Sequence, residues 1–305
     1  MTDSATTSRG WIGPVCVLMG GICIGFAPIG LRLGLDELGA QAIAFWRYVF
    51  AVPILFVLLV SVEKRLPTLP SWPIVVAGAC FALDIGLWHW ALERTTVANA
   101  TFLVNLGNVC VGLLAWLVLK ERPTAVWGVA VIIALTGAGF LSLAAASDGN
   151  ASLSGDILAL GAACLVAGYM LFSKIARGSL DALDAIFWLT VVEVFVSCLM
   201  VAVSGEAFFP ETPSGFQAPL FLAVAVQVGG QGLIIFGLGR TPAAVAGVLV
   251  LVQPVTAASI SWQLFDEPLN VWQLFGGALI LTGVLIAQSR AAKPQPKSLP
   301  GDANS

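Results

Sequence analysis

Apolar residues occupy this chain in long blocks, each ended by a short polar stretch. The first block begins at Trp11 and stays apolar to about Gly30, where Arg32, Asp36 and Glu37 interrupt it. A helix that crosses about 30 Å of hydrocarbon needs about 20 apolar residues. Ten blocks meet that length: 11–31, 39–62, 72–92, 95–119, 124–146, 155–176, 183–204, 217–238, 242–264 and 270–289. They are numbered here as spans 1 to 10. The linkers between them are short, so the pattern predicts one compact helical bundle. Arg9 followed by the first block has the look of a signal peptide. The block is too long for one, and no small-residue cleavage site with a soluble domain behind it follows, so it reads as the first span.

The pattern also repeats. Shifting the chain by 146 residues lays span 4 on span 9. Arg94-Thr95 falls on Arg240-Thr241, Trp116 on Trp262 and Glu121 on Glu267. Leu135-Thr136-Gly137 falls on Leu281-Thr282-Gly283, and Gly86-Leu87 on Gly232-Leu233. At a slightly different offset Phe45-Trp46 matches Phe187-Trp188. Five spans per half is an odd number, so the two halves must cross the membrane in opposite senses. The expected fold is an all-α membrane protein of ten transmembrane helices in two inverted five-helix repeats. Residues 1–10 form a short N-terminal segment, 11–146 the first repeat, 155–289 the second, and the polar, proline-containing 290–305 a disordered tail. Inverted repeats of this kind place a transport substrate near the midplane between the halves.

Charge fixes the expected orientation. Arg9, Lys64, Arg65, Lys120, Arg122, Lys174, Arg177, Arg240, Arg290, Lys293 and Lys297 fall on one side, against Arg32 and Arg94 on the other. Positive residues stay inside, so both termini are expected in the cytoplasm and the chain in a plasma membrane, the bacterial inner membrane. Composition agrees with lipid as the main solvent: 10% of residues are charged and 58% hydrophobic, where soluble domains carry about 25% charged residues. The net charge of −3 and the lack of a basic patch with interleaved aromatics set nucleic acid aside. The six cysteines (Cys16, Cys23, Cys80, Cys110, Cys164 and Cys198) lie inside apolar blocks without metal spacing. With one histidine, His89, no site built on several histidines exists. No cofactor or metal is expected; the partners expected are a small-molecule substrate and lipid, with the chain acting as a monomer or homodimer.

Several short motifs add a resemblance. They are Phe45-Trp46-Arg47 in span 2 and Ala98-Asn99-Ala100-Thr101 in span 4. Lys120-Glu121-Arg122-Pro123 closes span 4, Asp266-Glu267-Pro268 closes span 9, and Trp127-Gly128 opens span 5. With the duplication, they make the chain resemble the ten-span EamA-type branch of the drug/metabolite transporter superfamily over residues 11–289. The resemblance implies export of amino acids, other small metabolites or toxic compounds from bacteria. One position departs from the family pattern: span 9 keeps Gln253-Pro254, but span 4 has Asn108 where Pro254 aligns, which predicts a straighter span 4.

Ionisable groups at membrane depth cost about 2.5–3.5 kcal/mol each on insertion scales, and three are present: Arg47, Asp84 and Glu193. Arg47 and Asp84 lie about eight residues from the outer ends of spans 2 and 3, hence about 12 Å deep, and an ion pair between these neighbours is expected. It serves either as a packing contact or as a substrate or proton site. Glu193 lies near the middle of span 7 without a basic residue at its depth in its own half. It is then either a neutral acid bonded to a neighbouring helix or a proton-coupling group. Span 4 carries Asn99, Asn105 and Asn108; Asn105 and Asn108 sit at the same depth as Gln253 and Pro254 in span 9. Pro254 frees a backbone carbonyl one turn earlier, which is tolerable only against protein or a cavity. Asn105, Asn108, Gln253 and Pro254 are therefore candidates to line a substrate cavity, joined by Gln231 and Gln227 of span 8. In Trp88-His89-Trp90 at least one side chain must face inward, so His89 and Trp90 are added; the other reading is interfacial anchoring. Glu121 and Glu267 read as interfacial caps or gates. Gly21-xxx-Gly25, Gly30-xxx-Gly34 and Gly229-Gly230 allow close helix approach.

Three functions compete. A secondary exporter working by alternating access leads, because no GxxxxGK[ST] motif is present to bind a nucleotide. The target is amino acids or related metabolites, or alternatively drugs and toxic compounds. An intramembrane enzyme would need HExxH or a serine with a buried histidine beside it. A channel or sensor would not call for an inverted duplication.

Overall fold

A computed structural model describes residues 11–107, 110, 114, 117, 125–147, 153–238, 249, 252–265 and 270–291, and these are helices and their connections, with no strand among them. In chain order the helices are α1 (Ile12–Gly25), α2 (Ala27–Gly34), α3 (Ala40–Glu63), α4 (Trp72–Leu92), α5 (Val97–Val104), α6 (Ala125–Ser147), α7 (Leu153–Ala176) and α8 (Ala182–Ser204). A short α9 (Gln217–Phe221) leads into a π-helical stretch, Leu222–Gln231, and then α10 (Gly232–Leu238). The last two are α11 (Val252–Phe265) and α12 (Val271–Ala291).

Among the described residues, six segments are long and apolar enough to cross a membrane: Ile12–Gly34, Ala40–Glu63, Trp72–Leu92, Leu153–Ser173, Ala182–Ser204 and Pro213–Ile234. Shorter apolar helices run over Ala125–Phe140 and Val271–Ile286. The spans expected at 95–119 and 242–264 lie partly outside the described residues, as do Asn108, Glu121 and Glu267.

Local sequence explains the irregularities. Span 1 breaks at Phe26, and Pro28 opens α2, where its missing N–H costs nothing. Span 4 is not the straight helix expected from its missing proline. Its helix is interrupted after Val104, where the N–H groups of Asn105 and Leu106 bond three residues back, to Phe102 O and Leu103 O, and helix resumes by Gly107. The side-chain amide of Asn105 donates to Thr101 O at 2.7 Å. An asparagine that bonds its own backbone competes with regular helix. Span 8 departs the other way, widening to π-helix over Leu222–Gln231.

The halves interlock in exchanged pairs. α1, the first helix of one repeat, packs on the π-helical stretch and α10 of the other. α7, which opens the second repeat, packs on α4 of the first, and α6 packs on α12. Glycine sets the close approaches. A Cβ at Gly20 would meet Gly230 O at 2.6 Å, and one at Gly237 would meet Gly13 O at 2.7 Å. The numbers ascend in one helix as they descend in the other, so the pair is antiparallel. A Cβ at Gly137 would meet Gly276 O at 2.5 Å, and one at Gly283 would meet Ala130 O at 2.8 Å, which makes α6 and α12 antiparallel too.

α3 and α8, the second helices of the two repeats, are fastened at both ends. At the start of α3 the Glu206 carboxylate, just beyond α8, accepts the N–H groups of Gln41 at 2.9 Å and Ala42 at 3.0 Å. These are two of the donors that a helix start leaves unpaired. Gly39 leaves room for this cap, because a Cβ there would displace the Glu206 side chain. At the start of α8 the Asp184 carboxylate accepts Thr68 N at 2.9 Å and the Arg65 guanidinium, both just beyond α3. The start of each helix therefore meets the end of the other, and the two run antiparallel.

Candidate functional site

Between these fastened ends lies a buried polar cluster. It is carried by α3, α8 and the π-helical stretch, with α4 and α7 alongside. Arg47 of α3 is 2% exposed. Its Nε and Nη2 both donate to Gln227 Oε1, at 3.1 and 2.7 Å. Gln227 Nε2 donates onward to Glu193 Oε2 at 3.0 Å and to Thr190 Oγ1 at 3.1 Å, both on α8. Gln227, Glu193 and Thr190 are fully buried. The guanidinium and the carboxylate are thus joined through one amide, which faces each with the matching end.

Tyrosines and a second carboxylate flank this chain. The Arg47 guanidinium lies 5.4 Å from the Tyr48 ring centre, and Tyr48 packs with Phe81 and Tyr169. Asp84 and Glu193 are within electrostatic range of both Tyr48 and Tyr169, which are the two tyrosines of the chain. Among the described residues, Glu193 Oε1, Asp84 Oδ1 and the Tyr48 hydroxyl are buried without a hydrogen-bond partner. Buried polar groups are nearly always bonded, so three such atoms in one cluster call for a reason.

The expected ion pair of Arg47 with Asp84 is not formed: no salt bridge of Arg47 occurs among the described residues, and its donors turn to Gln227. Equal depth put the two groups on a level, but the rotation of α3 points Arg47 at the second repeat. Glu193 reaches its basic counterpart by the same route, from the opposite half. Gln227, expected beside spans 4 and 9, is the link instead. The sequence pattern does not by itself single out Thr190, Tyr48 and Tyr169. The signal available was that the only two tyrosines lie deep in spans.

The remaining predicted residues are spread more widely. His89 Nδ1 lies 2.9 Å from Ala40 O at the start of α3, so that ring ties α4 to α3. Trp90 is half-buried, and its carbonyl accepts from Arg94. Asn105 is buried and bonded within its own turn. α11, which carries Gln253 and Pro254, packs on α5 and on α1. Gln253 Cγ and Val252 lie over Gly21 of α1, and Gln231 is buried near the end of the π-helical stretch. Asn99, on α5, accepts from Gln273 of α12 at 3.1 Å. No group of three or more histidine, cysteine, aspartate or glutamate side chains that could hold a metal occurs among the described residues.

The EamA-like transporter family model matches this chain twice, over residues 11–143 and 153–288. The chain is similar to the uncharacterized transporter YwfM of Bacillus subtilis (strain 168), 28% identical over 73% of this chain and 75% of that one. It is also similar to the uncharacterized transporter YetK of the same organism, 24% identical over 93% of this chain and 85% of that one. A solved crystal structure superimposes with a TM-score of 0.61 at 17% identity, over 92% of this chain and 98% of that chain, which shows a shared fold. The family model thus matches once in each half of the chain.

Proposed function

This chain belongs to the EamA-like transporter family, and on that premise we propose that it is a secondary transporter exporting amino acids or related small metabolites by alternating access. The membrane is the bacterial inner membrane, crossed ten times with both termini cytoplasmic. The substrate passes between the repeats, along a path lined by Asn105, Asn108, Gln253, Pro254 and Gln231. His89 holds α4 against the start of α3, and Trp90 lies beside it. Glu193 is the coupling group, with Arg47 and Asp84 setting its electrostatic surroundings. Antiparallel packing of equivalent helices supports this reading, because it is the geometry that lets two halves exchange roles across a midplane site.

The observation that carries the proposal is the Arg47–Gln227–Glu193 chain. A charged arginine and a carboxylate at membrane depth are expensive, and fold stability alone would be served as well by apolar side chains of similar volume. The test is reconstitution of the purified chain into liposomes, with a pH gradient imposed and counterflow of radiolabelled neutral amino acids followed. The parent is expected to move solute faster under the gradient. Glu193→Gln is expected to lose the response to the gradient, with whatever exchange it retains at saturating amino acid indifferent to pH. Equal gradient response in parent and variant would remove Glu193 from the coupling role.

A further inference from the structure

We propose that the side-chain amide of Gln227 occupies the seat of the substrate's polar head, and that a zwitterionic head displaces it by setting its carboxylate on Arg47 and its ammonium on Glu193 and Thr190. The proposal rests on the transporter reading above and deepens it. Its ground is the match between what Gln227 offers and what its neighbours want. Arg47 directs two donors at one neutral oxygen, whereas a planar guanidinium fork is best met by the two oxygens of a carboxylate. Glu193 takes one amide hydrogen on Oε2 and leaves Oε1 unpartnered, whereas an ammonium has three hydrogens to give. Thr190 Oγ1 is a further acceptor at the same amide nitrogen.

Span matters as much as charge. The amide presents its acceptor and its donor on the two sides of one carbon. In an α-amino acid the carboxylate oxygen and the amino nitrogen are one bond further apart, so the head group fits between the same partners with a small adjustment. A β- or γ-amino acid is longer and fits less well. Gln227 is also placed to move. It sits in the π-helical stretch, two residues before Gly229-Gly230, and single π turns recur at functional sites where side chains must be re-aimed. Withdrawal of its side chain opens a polar volume of its own size between Arg47 and Glu193.

The exchange trades a net-neutral zwitterion for one proton, so each cycle moves one positive charge. Glu193 as a carboxylate holds the substrate's ammonium; when the substrate leaves, a proton on Glu193 replaces that positive charge and Gln227 returns. One carboxylate that serves proton and substrate alternately couples their flows in opposite directions.

The test is a thermal-shift titration of the full chain purified in detergent, against the twenty proteinogenic amino acids, nucleosides and quaternary amines. Each amino acid that stabilises is repeated as its methyl ester and as its des-amino acid. Stabilisation by one or more free amino acids is expected, with ester and des-amino forms binding about tenfold more weakly or worse, the loss of a charged contact at either end. Gln227→Ala is expected to bind the same amino acid as tightly as the parent or more so. Gln227→Glu, which gives Arg47 a resident carboxylate, is expected to lose binding. An ester that binds as well as the free acid overturns the proposal on the unmodified chain, with no variant needed. A Gln227→Ala that loses binding as Arg47→Lys does also overturns it. If nucleosides or amines stabilise and no amino acid does, this proposal falls while the transporter reading stands. If no probe stabilises and none is moved in liposomes, both fall.

Discussion

Trp46 and Trp188 are reciprocal: each indole N–H donates to the loop that follows the other's helix, Trp46 to Phe208 O and Trp188 to Thr68 O. These are the tryptophans of the duplicated Phe-Trp pair. Each repeat thus uses the same residue to hold the far end of its counterpart. Around Trp46 the ring of Phe216 lies 4.9 Å away and that of Phe209 5.4 Å, so this end carries an aromatic cluster as well as the Glu206 cap.

The two aspartates that meet Arg65 differ in burial, and that difference ranks them. The Asp184 side chain is 1% exposed and the Asp181 side chain 71%. Asp184 also caps Thr68 N. Asp184→Ala is expected to lower stability by about 1.5–3 kcal/mol, since it removes the acceptor of Thr68 N and breaks a charged hydrogen bond. Asp181→Ala is expected to cost under about 1 kcal/mol, as an exposed pair does. Thermal unfolding of the two variants side by side reads the difference; equal losses would contradict it.

Close helix contact makes some glycines irreplaceable and leaves others free. Gly20 faces the Gly230 carbonyl and Gly137 the Gly276 carbonyl, whereas a Cβ at Gly139 meets nothing within 4 Å. Gly20→Ala and Gly137→Ala are expected to destabilise by about 1–3 kcal/mol through overpacking against backbone that cannot yield. Gly139→Ala is expected to gain about 0.5–1 kcal/mol from helix propensity. Melting temperatures of the three variants check the order.

Glu93 supplies a pH dependence. It follows α4 at the surface, where partial desolvation and the nearby Glu206 carboxylate push its carboxyl above the ordinary value, against the opposing pull of Arg94. The folded chain therefore holds this proton to higher pH than the unfolded chain does. Stability from this group is present below the unfolded value and is lost as pH rises through the folded one. Glu93→Gln is expected to match the parent in acid and to exceed it at neutral pH. Melting curves from about pH 4 to pH 7.5 bracket the window, and parallel curves would refute the assignment.

Much of this architecture is legible in the sequence because lipid imposes a coarse rule: about 20 apolar residues mark a span. The duplication was legible for the same reason, since the Phe-Trp, Arg-Thr and Leu-Thr-Gly pairs stand out against an apolar background. Depth could be read from residue counts, and Arg47, Asp84 and Glu193 are buried as their positions in the spans suggested. Direction could not. Successive helical residues turn by about 100°, so a small error in helix rotation moves a side chain from one neighbour to another. That is why depth alone suggests Asp84 as the partner of Arg47, where the partner is Gln227. Gln227 was harder still, because a π-helical stretch resets the angular count that any helical projection assumes. The break at Asn105 was obscured by the missing proline, while the competing side chain that makes it was in plain view.

A fastening made twice from unlike residues is not equally strong twice. One end of the α3–α8 pair relies on Glu206 and aromatic rings, the other on Asp184 with an arginine. Exchange of roles between the halves would turn one arrangement into the other, and a perfect duplicate would rest in both with equal probability. Divergence at these two knots breaks that degeneracy. In the proposed cycle the difference between an ion pair with a partly exposed arginine and a carboxylate cap flanked by aromatic rings sets which way the empty protein faces. Ionic strength, which weakens only the former, then becomes a dial on its resting orientation.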